Sequence, residues 1–372
     1  MLSQSLLTLS AFVAGTYATA SAVCHARHSG LVGNGYAIYA YNVGSGSIGS
    51  ICGSFDTQMR NAVKNDHNAV NYKNNFCHTY NDQGVMESVV ELDKQSPAHQ
   101  ANLVKAALIA AFGSSGLYGG WFCPFVQRAW IVLAEKRIPH QYVEINPYKK
   151  EAHFLALNPR GLVPTLAIAN EGQRKARALY ESTVICEYLD EEYADEAAYG
   201  PRLLPRDDVF ERARCRLWVN HVVTRVVPGF YRVLQHTEGK GYTIAEARAE
   251  FLKGLREFAK EMVDSGSGKD GPWFLGDRFS LVDVMLAPWA KRLFLIDHYK
   301  EGGVGIPAKG EGGEHEEVWA RWDRWFEAVV ERESVKATWS EDDKYIEAYK
   351  RYADDTTQSE VGQATRQGRS LP

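Results

Sequence analysis

The stretch GGWFCPFVQRAW, residues 119–130, places one thiol, Cys123, between a glycine pair and Pro124. Proline is tolerated at the first position of a helix because the N–H it lacks would be unpaired there anyway. Cys123 is therefore expected at a helix start, facing unpaired backbone N–H groups and the positive end of the helix dipole. Both favour thiolate, and such sites can bring a cysteine pKa from ~8.5 into the range ~3.5–7.5. Thiolate is the form that attacks disulfides. A two-cysteine redox site would carry its resolving thiol at position 126, where this chain has Val126. A mixed disulfide at Cys123 must then be released by an external thiol. The alternative for these residues alone is an inert cysteine capping a helix.

The elements around Cys123 decide whether it can be positioned for that chemistry. A helix is expected from Pro124 through VQRAWIVLAEKR, ending before Pro139, with apolar residues nearly all round it, as when both sides are covered by protein. A strand at 141–145, a helical piece through 154–157, the turn NPRG at 158–161, a strand at 163–168 and, after a loop, a helix from Ser182 through Leu189 follow. Such alternation indicates a small α/β unit. From about 207 to 352 the pattern is helical, with glycine and proline mainly in loops such as 266–271 and 302–313. Ser280 and Asp283 have capping-box spacing and Phe279 can staple against Val284, which is a folding signal rather than a catalytic one. Trp319, Trp322 and Trp325 form a packing stripe. Cys186 and Cys215, mid-helix among apolar neighbours, are structural.

The 372 residues, 45% hydrophobic and 24% charged with a net charge of −4, fit a globular chain of two or three domains. No basic excess suggests nucleic acid as a partner. No apolar run approaches the ~20 residues of a membrane span. Residues 1–22 have the shape of a secretory signal peptide, with an apolar stretch from Leu6 to Val13 and an A-x-A-like site, Ala20-Ser-Ala22, although no Lys or Arg precedes that stretch. Residues 23–110 form a small module of unknown type, rich in Gly, Ser, Asn and Tyr, with weak strands such as 35–41 and a helical segment at 99–112. Its Cys24, Cys52 and Cys77, with His25, His28 and His78, lack metal-ligand spacing, so one disulfide is the simpler reading and no metal is assigned. The tail 355–372 has little apolar content and is expected to be disordered.

Three motifs in order, WFCPFVQRAWIVLAEKRIPHQYVEIN, NPRGLVPTL and LYESTVICEYLDE, resemble the thioredoxin-like half of an omega-type glutathione transferase. FLGDRFSLVDVMLAPW is similar to the all-helical half of the same superfamily. The resemblance covers roughly 117–352 and implies a thioredoxin-like domain at 111–197 followed by an all-α domain at 198–354. It implies that Cys123 forms a mixed disulfide with glutathione, a co-substrate, and that Phe125 belongs to the same loop. Lys150 would meet a glutathione carboxylate. Val163, before a cis Pro164, would pair its backbone with the cysteinyl part. Glu181 and Ser182 would hold the γ-glutamyl end, although without the family they are only a helix cap. Trp218, His221 and Tyr231 are candidates for a second-substrate site. Small disulfides, dehydroascorbate and quinone-type or arylketone adducts are the implied substrates, and a homodimer the implied assembly. Two other readings stay open. One is a non-catalytic scaffold with this fold. The other is a conjugating transferase in which a hydroxyl, for which Tyr118 is placed, stabilises the thiolate of glutathione.

The sequence departs from the family in two places. The strand that should lead into Cys123 is represented only by Leu117-Tyr118, since 112–116 is poor strand material. Either 106–111 supplies a displaced strand or that edge of the sheet is thin. A leader and an odd cysteine set also point to an oxidising compartment, whereas glutathione-resolved thiol exchange works best in a reducing one. The cytoplasm is the reading adopted for the transferase half, with secretion the alternative.

Overall fold

The computed structural model describes residues 10–12, 21–28, 34–41, 72–81, 85–92, 115–138, 140–150, 152–168, 176–265 and 271–371, those before 93 as backbone only. The expected helical segment at 99–112, Cys52 and most of the 1–22 leader lie outside the described residues, as do the side chains of Cys24 and Cys77. Two compact units emerge, one made of 1–120 and 137–181 and the other of 121–136 and 182–372. This division differs from the expected break at 197/198.

The first unit contains two sheets. Strands β1 (Ser10–Phe12), β2 (Ser21–His28), β3 (Asn34–Tyr41), β4 (Tyr72–Asn81) and β5 (Val85–Leu92) precede β6 (Ser115–Gly119), β7 (His140–Glu144), β8 (Thr165–Ile168) and β9 (Arg177–Tyr180). An antiparallel sheet has the order β2-β3-β5-β4, and a mixed sheet the order β1-β7-β6-β8-β9. In the mixed sheet β6 runs parallel to β7 and antiparallel to β8.

Two sequence expectations change here. The strand leading to Cys123 is central, not a thin edge, and it contains the glycine that argued against it. A Cβ on Gly116 would stand 3.1 Å from the Tyr118 ring, so the bare backbone gives that ring room on the shared face. Pairing on both sides outweighs local propensity. Strand β9 was not anticipated. It is an edge strand with largely exposed side chains and shows no alternation to read.

Tyr118 stacks on Phe154, ring centroids 6.1 Å apart, beside the buried Val143 and Ile145. Phe154 belongs to the short helix that lies between β7 and β8 in the chain.

Helices are numbered along the chain: α1 (Pro124–Glu135), α2 (Ala152–Leu157), α3 (Ser182–Glu192), α4 (Glu196–Tyr199), α5 (Val209–His221), α6 (Val227–Leu234), α7 (Ile244–Asp264), α8 (Leu281–Ala290), α9 (Leu293–Tyr299), α10 (Glu316–Glu331), α11 (Glu333–Ala337), α12 (Asp342–Ala353) and α13 (Glu360–Gln367). All but α2 belong to the second unit. A π-helical turn, Val222–Val226, joins α5 to α6 just before Pro228, which has no N–H to continue the ladder. Gly229 lets α6 approach α7 closely, since a Cβ there would lie 3.0 Å from the Phe251 ring.

Helix α1 is fastened to α3 by a buried cluster. The carboxylate of Asp190 accepts from Leu203 N at 2.8 Å and Leu204 N at 3.1 Å, and pairs with Lys136 at 3.0 Å and Arg202 at 3.1 Å.

The tail is ordered, against expectation. Ser359 caps α13, whose Gly362 carbonyl accepts from Gln235, while Arg366 pairs with Asp355 at 3.2 Å and donates to Thr357 O. Its Gly362 carbonyl and Asp355 carboxylate also find partners in the body, Gln235 and Lys240, which composition alone could not reveal.

The Ser280–Asp283 capping box forms as read and extends further. Buried Asp283 accepts from Ser280 N (2.8 Å) and Oγ (2.6 Å), from Phe274 N (2.9 Å) and from the Trp325 indole (2.7 Å). The Trp319, Trp322 and Trp325 stripe is buried as expected. Asp283→Ala leaves four buried donors without an acceptor, so it should lower unfolding free energy by about 3 kcal/mol or more. Urea unfolding followed by tryptophan fluorescence checks this, and a loss under about 1 kcal/mol would refute the shared-acceptor role.

Candidate active site

Cys123 is the N-cap of α1, with an extended backbone (φ −79°, ψ 120°) and Pro124 next, as the sequence indicated. The residue is half-buried, and its surroundings are dense enough that desolvation is the leading influence on the sulfur. Burial pushes the thiol above its ordinary value. Acting against that rise are the amides of Val126 and Phe125, which face the sulfur without closing a side-chain cap, and then the charges of Arg292 and Arg128. The expected thiolate-stabilising groups are all present, but in the chain by itself burial outweighs them. Cys186 and Cys215 are buried, and desolvation raises both, Cys215 to about 12. They are structural, as read.

The two guanidiniums were not singled out in the sequence. Arg128 is buried on α1, donating from Nε to Met285 O at 3.0 Å and from Nη1 to Ser182 Oγ at 3.3 Å. It stacks 4.3 Å from the Trp289 ring centroid and 5.4 Å from that of Phe125, and Phe125 meets Trp289 edge-on at 4.9 Å. Burial lowers Arg128 to about 10. Arg292 is fully buried beyond α8. It donates to Gln127 Oε1 at 2.5 Å, Pro288 O at 2.7 Å and Phe122 O at 3.2 Å, among the rings of Trp339, Tyr345 and Tyr349. Tyr349 Oη also donates to Phe122 O, at 3.1 Å. The backbone before the thiol is thus held from α12 and from the α8–α9 junction. The visible sequence signal was an arginine inside the apolar α1 and another after the all-buried α8.

Of the second-substrate candidates, Tyr231 is buried, which raises its phenol well above the ordinary value, and it lies close enough to Cys123 for that thiolate to raise it further. Trp218 and His221 come together elsewhere, ring centroids 4.8 Å apart. Trp218 also packs on Phe258 and Phe274, and the His221 ring bonds to Gly254 O at 2.9 Å.

The other unit holds the remaining candidates. Buried Asn158 donates to Leu162 O at 3.0 Å and Thr165 Oγ1 at 2.9 Å and accepts from Arg160 N at 3.1 Å, which sets the loop that leads to β8. The Val163–Pro164 bond on that loop is cis. Lys150 lies across Gly161, which has φ +64°. A Cβ there would come 2.9 Å from Lys150 Cδ and 3.1 Å from its Nζ. Glu181 sits at φ 72°, a left-handed conformation that costs a non-glycine residue about 1–2 kcal/mol and persists where surrounding contacts enforce it. Its carboxylate pairs with Arg160 at 2.5 Å, with both side chains about half exposed. Tyr118 is half-buried, and burial raises its phenol. Among the described residues no cluster of His, Cys, Asp or Glu could hold a metal, and no helix is long and apolar enough to cross a membrane.

Comparison with known proteins adds to this geometry. Residues 122–192 match the family model described as glutathione S-transferase, N-terminal domain, and 241–328 match the C-terminal domain of the same family. The chain is 36% identical over 182 residues to glutathione S-transferase omega-1 of Sus scrofa, spanning 49% of this chain and 68% of the relative. It is similar to the crystal structure of glutathione transferase Omega 3C from Trametes versicolor, with 40% identity and a TM-score of 0.52 over 66% of this chain and 93% of that one. It is also similar to a rice enzyme, OsGSTU1, solved in complex with glutathione, at 26% identity and a TM-score of 0.53, covering 66% and 98%.

The opposing influences on Cys123 make a prediction about pH. Arg292→Gln removes a positive charge that favours thiolate while the burial that favours thiol remains. The midpoint of Cys123 alkylation against pH, followed by peptide mass spectrometry, should move upward. An unmoved midpoint would mean that Arg292 acts only as packing.

Proposed function

The chain belongs to the glutathione S-transferase family, in its omega class, and on that basis we propose that it is a glutathione-dependent thiol transferase acting through Cys123. The carrying observation is a half-buried cysteine at the start of α1, with Val126 buried at the position where a resolving cysteine would stand. In the first step the Cys123 thiolate attacks the glutathione sulfur of a glutathionylated substrate. The S–S bond breaks, the substrate leaves as a thiolate that takes up a proton, and a Cys123–glutathione disulfide forms. A second glutathione thiolate then attacks the glutathione sulfur, regenerating Cys123 thiolate and releasing oxidised glutathione. Amides at the α1 start and the charges of Arg292 and Arg128 favour the thiolate that each step uses or releases.

Glutathione is assigned to Phe125, Lys150, Val163, Pro164, Glu181 and Ser182. The Ser182 hydroxyl accepts from Arg128 and so keeps its own proton to donate to a carboxylate. The Arg160–Glu181 pair is exposed and worth only about 0–1 kcal/mol, so an ammonium can replace Arg160. Small disulfides, dehydroascorbate and quinone-type or arylketone adducts are the second substrates proposed. Tyr231 is the candidate nearest in influence to Cys123, ahead of Trp218 and His221. The conjugating alternative is disfavoured by Tyr118, whose ring is committed to the core beside Phe154. We assign the active form to a homodimer. Val209, Phe210 and Leu217 of α5 are 67%, 76% and 70% exposed, and Phe210 and Leu217, seven residues apart, share a helix face that a second copy would cover.

The wild-type protein should reduce a glutathionylated peptide at the expense of glutathione, and Cys123→Ala should abolish turnover while still binding to glutathione resin. A folded wild type that binds glutathione without turnover would favour the scaffold reading instead. Phe210→Asp should shift the mass measured by light scattering from two chains to one. An unchanged dimer mass would remove α5 from the interface.

A further inference from the structure

Glu181, to which the γ-glutamyl ammonium is assigned, already holds a cation. Arg160 Nη1 donates to Glu181 Oε1 at 2.5 Å, so an incoming ammonium meets an arginine at that carboxylate. Both residues belong to the first unit, Arg160 on the loop between α2 and β8 and Glu181 directly after β9.

Arg160 is held beside Glu181 by more than their ion pair. Buried Asn158 accepts from Arg160 N at 3.1 Å and donates to Thr165 Oγ1 at 2.9 Å. Thr165 is in turn the β8 residue paired with Tyr180, the neighbour of Glu181. The guanidinium carbon stands 5.6 Å from the Tyr180 ring centroid, within cation–π range. The arginine therefore stays close when its bond to the carboxylate opens.

An amino-acid end carries an ammonium and a carboxylate on one carbon. An ammonium seated on Glu181 thus brings a carboxylate alongside the guanidinium it displaces, and one ion pair is exchanged for two. Magnitudes decide whether Arg160 competes with the ligand or recruits it. A pair as exposed as this one, 50% and 42%, contributes at most about fivefold to an equilibrium. A hydrogen bond to a charged group contributes about tenfold or more. Recruitment outweighs competition.

We propose that Arg160 is a specificity-determining residue for glutathione: as the γ-glutamyl ammonium takes Glu181, the Arg160 guanidinium turns to the α-carboxylate on the same carbon. The inference rests on the glutathione reading and narrows its substrate class to thiols and disulfides with a free α-amino-acid end on a γ-linked arm.

The test is calorimetric titration of the full chain with reduced glutathione and with 4-aminobutanoyl-cysteinylglycine, which keeps the ammonium and lacks the α-carboxylate. Competition at Glu181 acts on both peptides, so the ratio of their affinities isolates the carboxylate contact. Wild type should prefer glutathione, and Arg160→Gln should lower that preference by at least about tenfold, with Arg160→Lys restoring part of it. Arg160 is half exposed, so neither substitution disturbs the core. A preference in Arg160→Gln within about twofold of the wild-type value overturns the proposal and leaves the glutathione reading standing. A wild type that binds no glutathione overturns that reading, and this inference with it.

Discussion

Two buried guanidiniums hold the start of the Cys123 helix, and much of the helical unit is arranged to satisfy them. A buried cation is tolerated only where oxygen acceptors surround it, and removing one side of such an arrangement costs about 3–5 kcal/mol. Arg128 takes Met285 O and Ser182 Oγ, and Arg292 takes Gln127, Pro288 O and Phe122 O. All of these bonds but the local one to Pro288 O join the cysteine-bearing helix or its approach to another helix, so the requirement to pair a charge becomes a positional constraint on the thiol. Tyr349 reinforces it from α12 by donating to the same Phe122 carbonyl.

The same charges moderate the chemistry. A thiol pressed into protein ionises less readily, and here burial is the largest influence on Cys123. Two cations and two amides at the helix start pull the other way. Such a balance is set to change when a charged or polar partner enters, because a ligand alters both the desolvation and the field at the sulfur. The ordinary effect of a helix N-terminus is therefore present but is not the whole account.

The first unit contributes rigidity of a different kind. Asn158 spends its amide and carbonyl on the loop before β8, and Lys150 crosses Gly161, where a side chain would collide with it. Among the described residues, the left-handed Glu181 puts local backbone strain at a candidate ligand group. The hydrogen bonds of Asn158, rather than hydrophobic packing alone, set the loop before β8.

The sequence by itself determined what depends on near neighbours. Pro124 after Cys123 marked a helix start, Val126 excluded an internal resolving thiol, the spacing of Ser280 and Asp283 specified a capping box, and the three tryptophans of α10 declared a buried stripe. Each follows from steric or hydrogen-bonding rules that act within one or two turns. Tertiary structure decided what depends on distant partners. Strand β6 is central despite Gly116 because strands on both sides pair with it, and β9 is a strand because β8 lies beside it. The tail is held in place because Gln235 and Lys240 of the body meet its Gly362 carbonyl and Asp355 carboxylate. The ionisation of Cys123 was likewise hidden, since the charges that bear on it come from α1 and from beyond α8, and the desolvation that opposes them exists only once the helices have packed.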